Sequence, residues 1–193
     1  MKKRMILVTS PPASGKTYVS KELAKRLHGI VYLDKDALIP LSNRVFIAGG
    51  EPINRSSDFF EENIRNYEYD AILDIGVEAL EYNDLVMINA PFTREVRNND
   101  FILDLRQKLA KHGADLILIW VITDIEVCRK RMIARNSPRD TWKLENWDAY
   151  ISRRDYSVPD LPALEGCLVK FYNSSDDEYA ESMERISNLL LEK

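Results

Sequence analysis

One short segment near the start of the sequence carries residue types that can hold a chain of phosphates. It spans Ser10–Thr17, reads SPPASGKT, and lies between an apolar run and a stretch with helical spacing. Consecutive backbone N–H groups at a helix start attract anions, a lysine can reach the outer phosphates, and a hydroxyl can hold Mg²⁺. The predicted nucleotide-binding residues are therefore Ala13, Ser14, Gly15, Lys16 and Thr17, with Lys16 also catalytic and Thr17 a metal ligand.

This segment departs from the phosphate-loop pattern GxxxxGK[ST] at one position, because Ser10 replaces the first glycine. Pro11 and Pro12 also lack a backbone N–H. The phosphates are cradled chiefly by the later half of such a loop, so both departures are compatible with binding. The alternative is a turn that only joins a strand to a helix, but the strand–loop–helix context favours phosphate binding.

Two carboxylates, Asp34 and Asp36, follow the second apolar run of the chain, Ile30–Leu33. A carboxylate at a strand end beside a phosphate loop can orient or deprotonate an acceptor hydroxyl, or hold metal-bound water. We predict Asp36 as the catalytic and acceptor-binding residue and Asp34 as the metal-linked one. Aspartate is also common in exposed turns and helix caps, which is the alternative for both.

A basic segment at residues 129–139 contains Arg131 and Arg135, which lie four positions apart and so on one face of a helix. Arginines on a closing loop can neutralise charge as a phosphoryl group departs. We predict that both contact the nucleotide and assist catalysis, with Arg139 as the next choice. A solvated helix face is the usual alternative for such a charge run.

These features together resemble the P-loop kinases of small molecules, a group that includes gluconate and shikimate kinases, chloramphenicol phosphotransferase, zeta toxins and polynucleotide kinase. The resemblance rests on the phosphate loop, on Asp34–Lys35–Asp36 and on the later arginines, and it implies an AAA-type ATP-binding protein that uses ATP and Mg²⁺. It also implies the strand order 2-3-1-4-5, a lid at about residues 136–145, and adenine binding near Asn173. A simple turn accounts for Asn173 equally well.

The resembled kinases often carry an acidic residue at the end of the third strand, where this chain has Asn89. A neutral amide can still accept a hydrogen bond from metal-bound water, with Asp34 or Asp36 supplying the charge. It is also compatible with altered or absent catalysis.

Acceptor recognition is predicted in the region of about residues 37–69, which contains Arg44, Arg55 and Arg65 among several acids. These arginines can grip a phosphate or carboxylate. Arg97, which follows the third strand, is a further candidate, although pairing with Glu95 on a helix surface is as good an account.

The elements that must position these residues alternate along the chain. Five short apolar runs are each followed by a helical pattern, which predicts an α/β fold with a five-stranded, mostly parallel sheet and helices on both faces. Helices are predicted over Ser57–Glu81, Val96–Leu109 and Glu145–Tyr156, and capping boxes at Thr123/Glu126 and Ser175/Glu178. The predicted strands are Met5–Val8, Ile30–Leu33, Leu85–Ile88, Leu116–Ile122 and Leu168–Phe171.

Bulk properties limit the remaining possibilities. With 193 residues the chain is predicted to form a single domain over 1–193. The longest apolar run is too short to span a bilayer and no signal-peptide core is evident, so we expect a cytoplasmic protein. The net charge of −4 makes nucleic acid an unlikely partner. The two cysteines belong to no metal-binding cluster.

The sequence therefore predicts transfer of the γ-phosphoryl group of MgATP to a hydroxyl of a small molecule. Three alternatives stay open: a nucleotide-dependent regulatory ATPase or binding protein, a kinase of nucleic-acid 5′ ends, and a toxin-like kinase of a sugar nucleotide. The acceptor, the preference for ATP over GTP and the oligomeric state are not indicated by any motif.

Overall fold

A single parallel sheet organises the chain in the computed structural model, which describes residues 2–137 and 140–191. The strand order is β2-β3-β1-β4-β5, and each neighbouring pair is parallel. The predicted fold class and the order implied by the resemblance are both confirmed. The strands are β1 (Lys3–Thr9), β2 (Val31–Asp34), β3 (Leu85–Asn89), β4 (Ala114–Ile122) and β5 (Leu168–Tyr172).

Helices and short turns connect these strands. A π-helical turn, Glu61–Arg65, joins α3 to α4, and 3-10 turns occupy Lys35–Leu38, Glu95–Arg97 and Pro162–Leu164. The α-helices are α1 (Lys16–Arg26), α2 (Ile39–Ala48), α3 (Asp58–Phe60), α4 (Asn66–Ala79), α5 (Asn99–Lys111), α6 (Ile125–Arg135), α7 (Thr141–Glu145), α8 (Trp147–Ser152) and α9 (Asp176–Leu191).

Both faces of the sheet are buried because the side chains of β1 alternate between two hydrophobic clusters. Met5 and Leu7 pack with residues of α4 and α5, whereas Ile6 and Val8 pack with residues of α1 and α9. Successive strand residues point to opposite faces, so an uninterrupted apolar run needs helices on both sides. The apolar strands thus explain the three-layer architecture. No helix within the described ranges is both long and apolar enough to cross a membrane.

Two of the N-caps predicted from the sequence are observed in the structure and one is not. Ser57 accepts a hydrogen bond from the Phe60 amide at 3.2 Å, as predicted. Ser175 accepts one from the Glu178 amide at 3.2 Å, which confirms the predicted start of α9. The capping-box prediction at Thr123 is wrong, because the N-cap of α6 is Asp124. The Thr123 hydroxyl donates instead to a distant carbonyl in the phosphate loop.

Three predicted helices differ from the observed elements. The helix predicted over Val96–Leu109 begins instead at Asn99, because the Asn98 side chain accepts hydrogen bonds from the Asp100 and Phe101 amides and caps the helix there. The helix predicted over Ser57–Glu81 is interrupted by the π turn. The helix predicted over Glu145–Tyr156 is replaced by α7 and α8, which meet at Asn146. In the predicted lid, Pro138 and Arg139 lie outside the described residues, so the prediction for Arg139 does too.

Candidate nucleotide and acceptor site

The phosphate loop, residues 10–17, leaves β1 and enters α1 through a backbone nest. Ala13 and Gly15 have φ values of 67° and 84°, and such left-handed residues turn successive N–H groups toward one side. A Cβ on Gly15 would lie 2.5 Å from the Asn173 side chain, so only glycine fits there. Both prolines precede this nest, which explains why their missing N–H groups are tolerated.

One carbonyl in the loop receives two side-chain hydrogen bonds. The backbone carbonyl oxygen of Ser14 accepts hydrogen bonds from Asn173 Nδ2 at 2.7 Å and from Thr123 Oγ1 at 2.9 Å. Asn173 and Thr123 directly follow β5 and β4, so the strand ends on one side of β1 hold the loop. Asn173, predicted to bind the nucleotide, therefore uses its side-chain amide to support the loop.

Asn89 connects the loop to the strands on the other side of β1. Lys16 Nζ donates to Asn89 Oδ1 at 2.7 Å, and Asn89 Nδ2 donates to Asp34 Oδ2 at 2.9 Å and to Thr17 Oγ1 at 3.3 Å. Asp34 and Asn89 are register partners in adjacent strands. The carboxyl ends of parallel strands thus converge here, as ligand sites of open α/β sheets require.

The ammonium group of Lys16 is largely surrounded by protein, and burial lowers its pKa to about 8 against the opposing effect of Asp34 and Asp36. Its closest partner, Asn89, is neutral. Among the residues that the structure describes, no acid in direct contact balances the positive charge of Lys16, which suits a lysine that meets phosphate.

Thr17 and Asp34 fit the requirements of a nucleotide-bound Mg²⁺. Mg²⁺ usually takes one or two protein oxygen ligands and completes its shell with phosphate oxygens and water. The oxygens of Thr17 and Asp34 both accept from the same Asn89 amide nitrogen, so they lie close together. Within the described ranges, no group of three or more His, Cys, Asp or Glu side chains forms a metal site by itself.

A cavity of about 480 Å³ lies over the phosphate loop and is called the loop cavity below. Lys16, Asp36 and Arg135, all predicted to be catalytic, line it together. Lys143 lines it too and was not predicted. Arg135 Nε and Lys143 Nζ each donate to the fully buried carboxylate of Asp140 at 2.9 Å, which fixes both cations at the wall of the cavity.

Arg131 is not among the residues that line the loop cavity, but it lies beside the loop. Its Nη2 donates to the Asn173 carbonyl at 2.8 Å, while its Nη1 would be 3.4 Å from a Cβ on Gly15. That Nη1 is buried without a hydrogen-bond partner among the described residues. Buried polar groups are normally hydrogen-bonded, so this Nη1 is a donor that an anion beside the phosphate loop could use.

A second cavity of about 460 Å³ adjoins the first and is called the arginine-lined cavity below. The two cavities share Pro12, Asp36 and Pro91 as lining residues, so Asp36 lies where they meet. Arg55, a predicted acceptor ligand, lines the second cavity. The same wall carries Lys35, Ser56, Phe60, Glu61, Arg65, Tyr69, Thr93, Arg94 and Arg154.

The structure does not bring two predicted acceptor ligands to this cavity. Arg44 is exposed on α2, whose buried residues are Ser42 and Phe46 on another face of the helix. Arg97 binds Asp155 at 2.9 Å and the Ser157 carbonyl at 2.7 Å, and its guanidinium covers the Trp120 ring at 5.5 Å. Arg97 therefore anchors the segment after α8.

Glu68 binds two of the side chains that line the arginine-lined cavity, and it was not predicted from the sequence. It accepts from Lys35 at 2.7 Å and from Arg55 and Ser42 at 2.5 Å. Burial by itself would raise the pKa of Glu68, but these hydrogen bonds outweigh it and lower the pKa to about 2. One signal was available: Glu68 lies four residues from both Ile64 and Ile72, within an apolar helical stripe.

The parallel 2-3-1-4-5 sheet and the loop between β1 and α1 define the P-loop NTPase class of fold. The family described as AAA domain matches residues 5–156, and the chain belongs to that family. The predicted AAA-type, P-loop kinase-like identity is thereby confirmed. Comparison with curated protein sequences finds no match.

Solved structures of several kinases share this fold across nearly the whole chain. A putative kinase from Chloroflexus aurantiacus is 21% identical with a TM-score of 0.61, and the match covers 98% of this chain and 97% of that one. A shikimate kinase from Bacteroides thetaiotaomicron is 16% identical with a TM-score of 0.56, covering 97% and 98%. A gluconokinase from Sinorhizobium meliloti is 16% identical with a TM-score of 0.53, covering 98% and 95%.

Proposed function

We propose that this protein transfers the γ-phosphoryl group of MgATP to a hydroxyl group of a small molecule. The observation that carries the proposal is the place of Asp36, whose carboxylate lies at the junction of the loop cavity and the arginine-lined cavity. A base at that junction can take a proton from a hydroxyl in one cavity while the hydroxyl oxygen approaches a phosphate in the other. Kinase activity is also supported by the structural neighbours.

In the proposed reaction the acceptor oxygen forms a bond to the γ-phosphorus as the bond from that phosphorus to the β,γ-bridging oxygen breaks. The hydroxyl proton passes to Asp36, and the products are ADP and a phosphate ester. Lys16 and the Ala13–Thr17 amides hold the phosphates, and Arg131 and Arg135 stabilise the charge that develops on the transferring group.

Mg²⁺ would bind at Thr17, with Asp34 reached directly or through water, and it would neutralise charge on the phosphates. Asn89 supplies no charge there. Its amide holds Lys16, Thr17 and Asp34 in one arrangement, so the acidic group for the metal is expected to come from Asp34.

The test incubates the protein with Mg²⁺ and γ-labelled ATP against panels of sugars, nucleosides, amino alcohols, antibiotics and oligonucleotides. We expect label in one class of small hydroxyl compounds. Asp36→Asn should lower kcat by roughly 100-fold or more while a nonhydrolysable ATP analogue binds as to the parent. Asp160→Asn, an exposed aspartate elsewhere on the surface, is the matched control. Equal transfer by Asp36→Asn and the parent would show that Asp36 is not the base.

A second function is favoured by Asn89, since a neutral residue at this position is compatible with a regulatory protein that hydrolyses ATP slowly or only binds it. Phosphate release that does not depend on any acceptor, or tight binding of ATP without turnover, would support that function. Label recovered on oligonucleotides alone would instead support a kinase of nucleic-acid 5′ ends.

A further inference from the structure

We infer that the acceptor of the proposed reaction is a hydroxylated small molecule carrying a carboxylate or phosphate, held by Arg55 and Arg154 in the arginine-lined cavity. This inference rests on the proposed function, because it names the substrate class of the same site. It starts from the charges that line the cavity and from the acids that compensate them.

The acids around this cavity are too few for its cations. Arg65 pairs with Glu95 at 2.7 Å, and Arg94 pairs with Glu61 at 2.6 Å. Glu68, in contrast, forms ion pairs with both Lys35 and Arg55, so two positive charges share one carboxylate.

Arg154 has no ion-pair partner among the described residues. Its guanidinium lies 5.7 Å from the centre of the Tyr150 ring, which is a neutral partner. Together with the charge left over at Glu68, the cavity wall carries two positive charges that no acid in contact compensates. Asp36, the remaining lining acid, reduces the net surplus to one positive charge. A concave, partly desolvated wall with such a surplus attracts an anion.

The excess positive charge is distributed unevenly along the wall of the arginine-lined cavity. Asp36, at the junction with the loop cavity, is the lining acid without an ion-pair partner within the described ranges. The cavity is thus polarised, with a hydrogen-bond acceptor at the end nearest Lys16 and cations elsewhere. A molecule that presents a hydroxyl to Asp36 and an anionic group to the arginines matches this polarity.

Arg55 is held in place before any ligand arrives. Its Nη2 donates to Glu68 at 2.5 Å, and its guanidinium lies 4.4 Å from the centre of the Phe60 ring. Cation–π contact and an ion pair limit the rotamers of the side chain, so little conformational entropy is lost when it binds an anion. The volume of about 460 Å³ is within the usual range for small-molecule sites.

The first experiment measures binding without catalysis. The loop cavity is saturated with Mg²⁺ and a nonhydrolysable ATP analogue, so that anions cannot occupy the phosphate loop. Calorimetric titrations then compare compounds that differ in charge: gluconate against sorbitol, and 3-phosphoglycerate against glycerol. We expect at least one anion to bind at least about 10-fold more tightly than its neutral counterpart, because hydrogen bonds to charged groups are strong.

The variants Arg55→Gln and Arg154→Gln should each weaken binding of that anion by about 10-fold and leave neutral compounds unaffected. Arg153→Gln, the exposed neighbour of Arg154, is the matched control. Because Arg55 also pairs with the buried Glu68, its variant can lose stability. Arg154 keeps the test valid, because it is exposed and pairs with no acid among the described residues, so its substitution leaves no buried charge without a partner.

The results separate this inference from the proposed function. Equal binding of charged and neutral compounds, or equal anion binding by Arg154→Gln and Arg153→Gln, would overturn the inference even if label transfer occurs. Arginine-dependent anion binding with no transfer to any acceptor would support the inference and count against the kinase. Carboxylate and phosphate compounds in the same series show which anion the cavity prefers.

Discussion

Asn89 and Glu68 each gather several polar side chains at the same edge of the sheet, but one is neutral and the other is charged. Asn89 contacts Lys16, Thr17 and Asp34 through its amide, whereas Glu68 contacts Lys35, Arg55 and Ser42 through its carboxylate. The chemistry of the central residue decides what the surrounding charges remain free to do.

The amide of Asn89 orients Lys16 and Asp34 without cancelling the charge of either. Both groups thus keep their charge for a phosphate and a metal ion. The carboxylate of Glu68 pairs with Lys35 inside the protein, where both side chains are buried. Lys35 therefore stabilises the fold, while its sequence neighbours Asp34 and Asp36 face the site. Asp34 and Lys35 are adjacent in the sequence but have different roles, because Asp34 binds the neutral Asn89 and Lys35 binds the charged Glu68.

Glu68→Leu should have the largest effect. Removal of the carboxylate leaves the buried ammonium of Lys35 without a partner, and loss of one member of a buried ion pair costs about 3–5 kcal/mol. We expect a decrease of that size in the free energy of unfolding, measured by denaturant titration. Glu78→Leu, an exposed glutamate on the same helix, should change stability little. Similar losses for both variants would refute the stabilising role of Glu68.

The contribution of Glu68 should also depend on pH in a defined direction. Its folded-state pKa is about 2, below the ordinary value of 4.5. The stabilisation is therefore fully present above about pH 4.5 and is lost as the pH falls from there toward about 2. Denaturation curves of the parent and of Glu68→Gln should converge across this range. A constant difference between the two proteins would contradict the shift.

Asn89→Leu should have an intermediate effect. The substitution removes the hydrogen bonds to Lys16, Thr17 and Asp34 but leaves no fully buried charge, because Lys16 and Asp34 are half-buried residues and Thr17 is exposed. We expect a loss of about 1–3 kcal/mol in unfolding free energy, together with weaker nucleotide binding measured by calorimetry. The exposed Asn63→Leu is the control. A loss as large as that of Glu68→Leu would remove the distinction between the two centres.

Two serines offer the smallest and most closely matched test. Ser20 and Ser42 are both buried, and the hydroxyl oxygen of each lies within hydrogen-bond distance of the carbonyl four residues before it. Ser20 also lies 3.4 Å from Asn89 Oδ1, whereas Ser42 lies 2.5 Å from Glu68 Oε1. Since hydrogen bonds to charged groups are stronger, Ser42→Ala should cost about 1 kcal/mol more than Ser20→Ala. Equal losses in thermal unfolding would show that the charge of Glu68 adds nothing.

The nucleotide side of the site could be predicted because its signals are contiguous in the sequence. The phosphate loop lies within eight residues, and an apolar strand before it and a helix after it fix its context. Asp36 follows from its place after the second strand, since a parallel sheet brings its strand ends to one edge. Arg135 follows from the helical spacing of the basic segment and from the resemblance to a kinase lid. These residues line one cavity in the structure.

The acceptor side resisted prediction because it depends on contacts between distant residues. Arg44 and Arg55 look alike in the sequence, but the helical phase of α2 exposes Arg44 while Glu68 holds Arg55 at the cavity. Arg154 and Lys143 carried no motif at all. The capping-box prediction at Thr123 is wrong for the same reason, since the capping pattern is local, whereas the partner of the Thr123 hydroxyl is the distant Ser14 carbonyl. Local sequence rules cannot rank such competing partners.

The two side chains on the Ser14 carbonyl have a consequence for the thermodynamics of ligand binding. A loop that is disordered when empty loses conformational entropy when it closes around phosphates, and this loss reduces the affinity. Here Thr123 and Asn173 hold the loop from two strand ends in the absence of any ligand. The backbone of residues 13–17 should consequently be as ordered without a nucleotide as with one, and NMR order parameters of these residues should change little when a nucleotide binds.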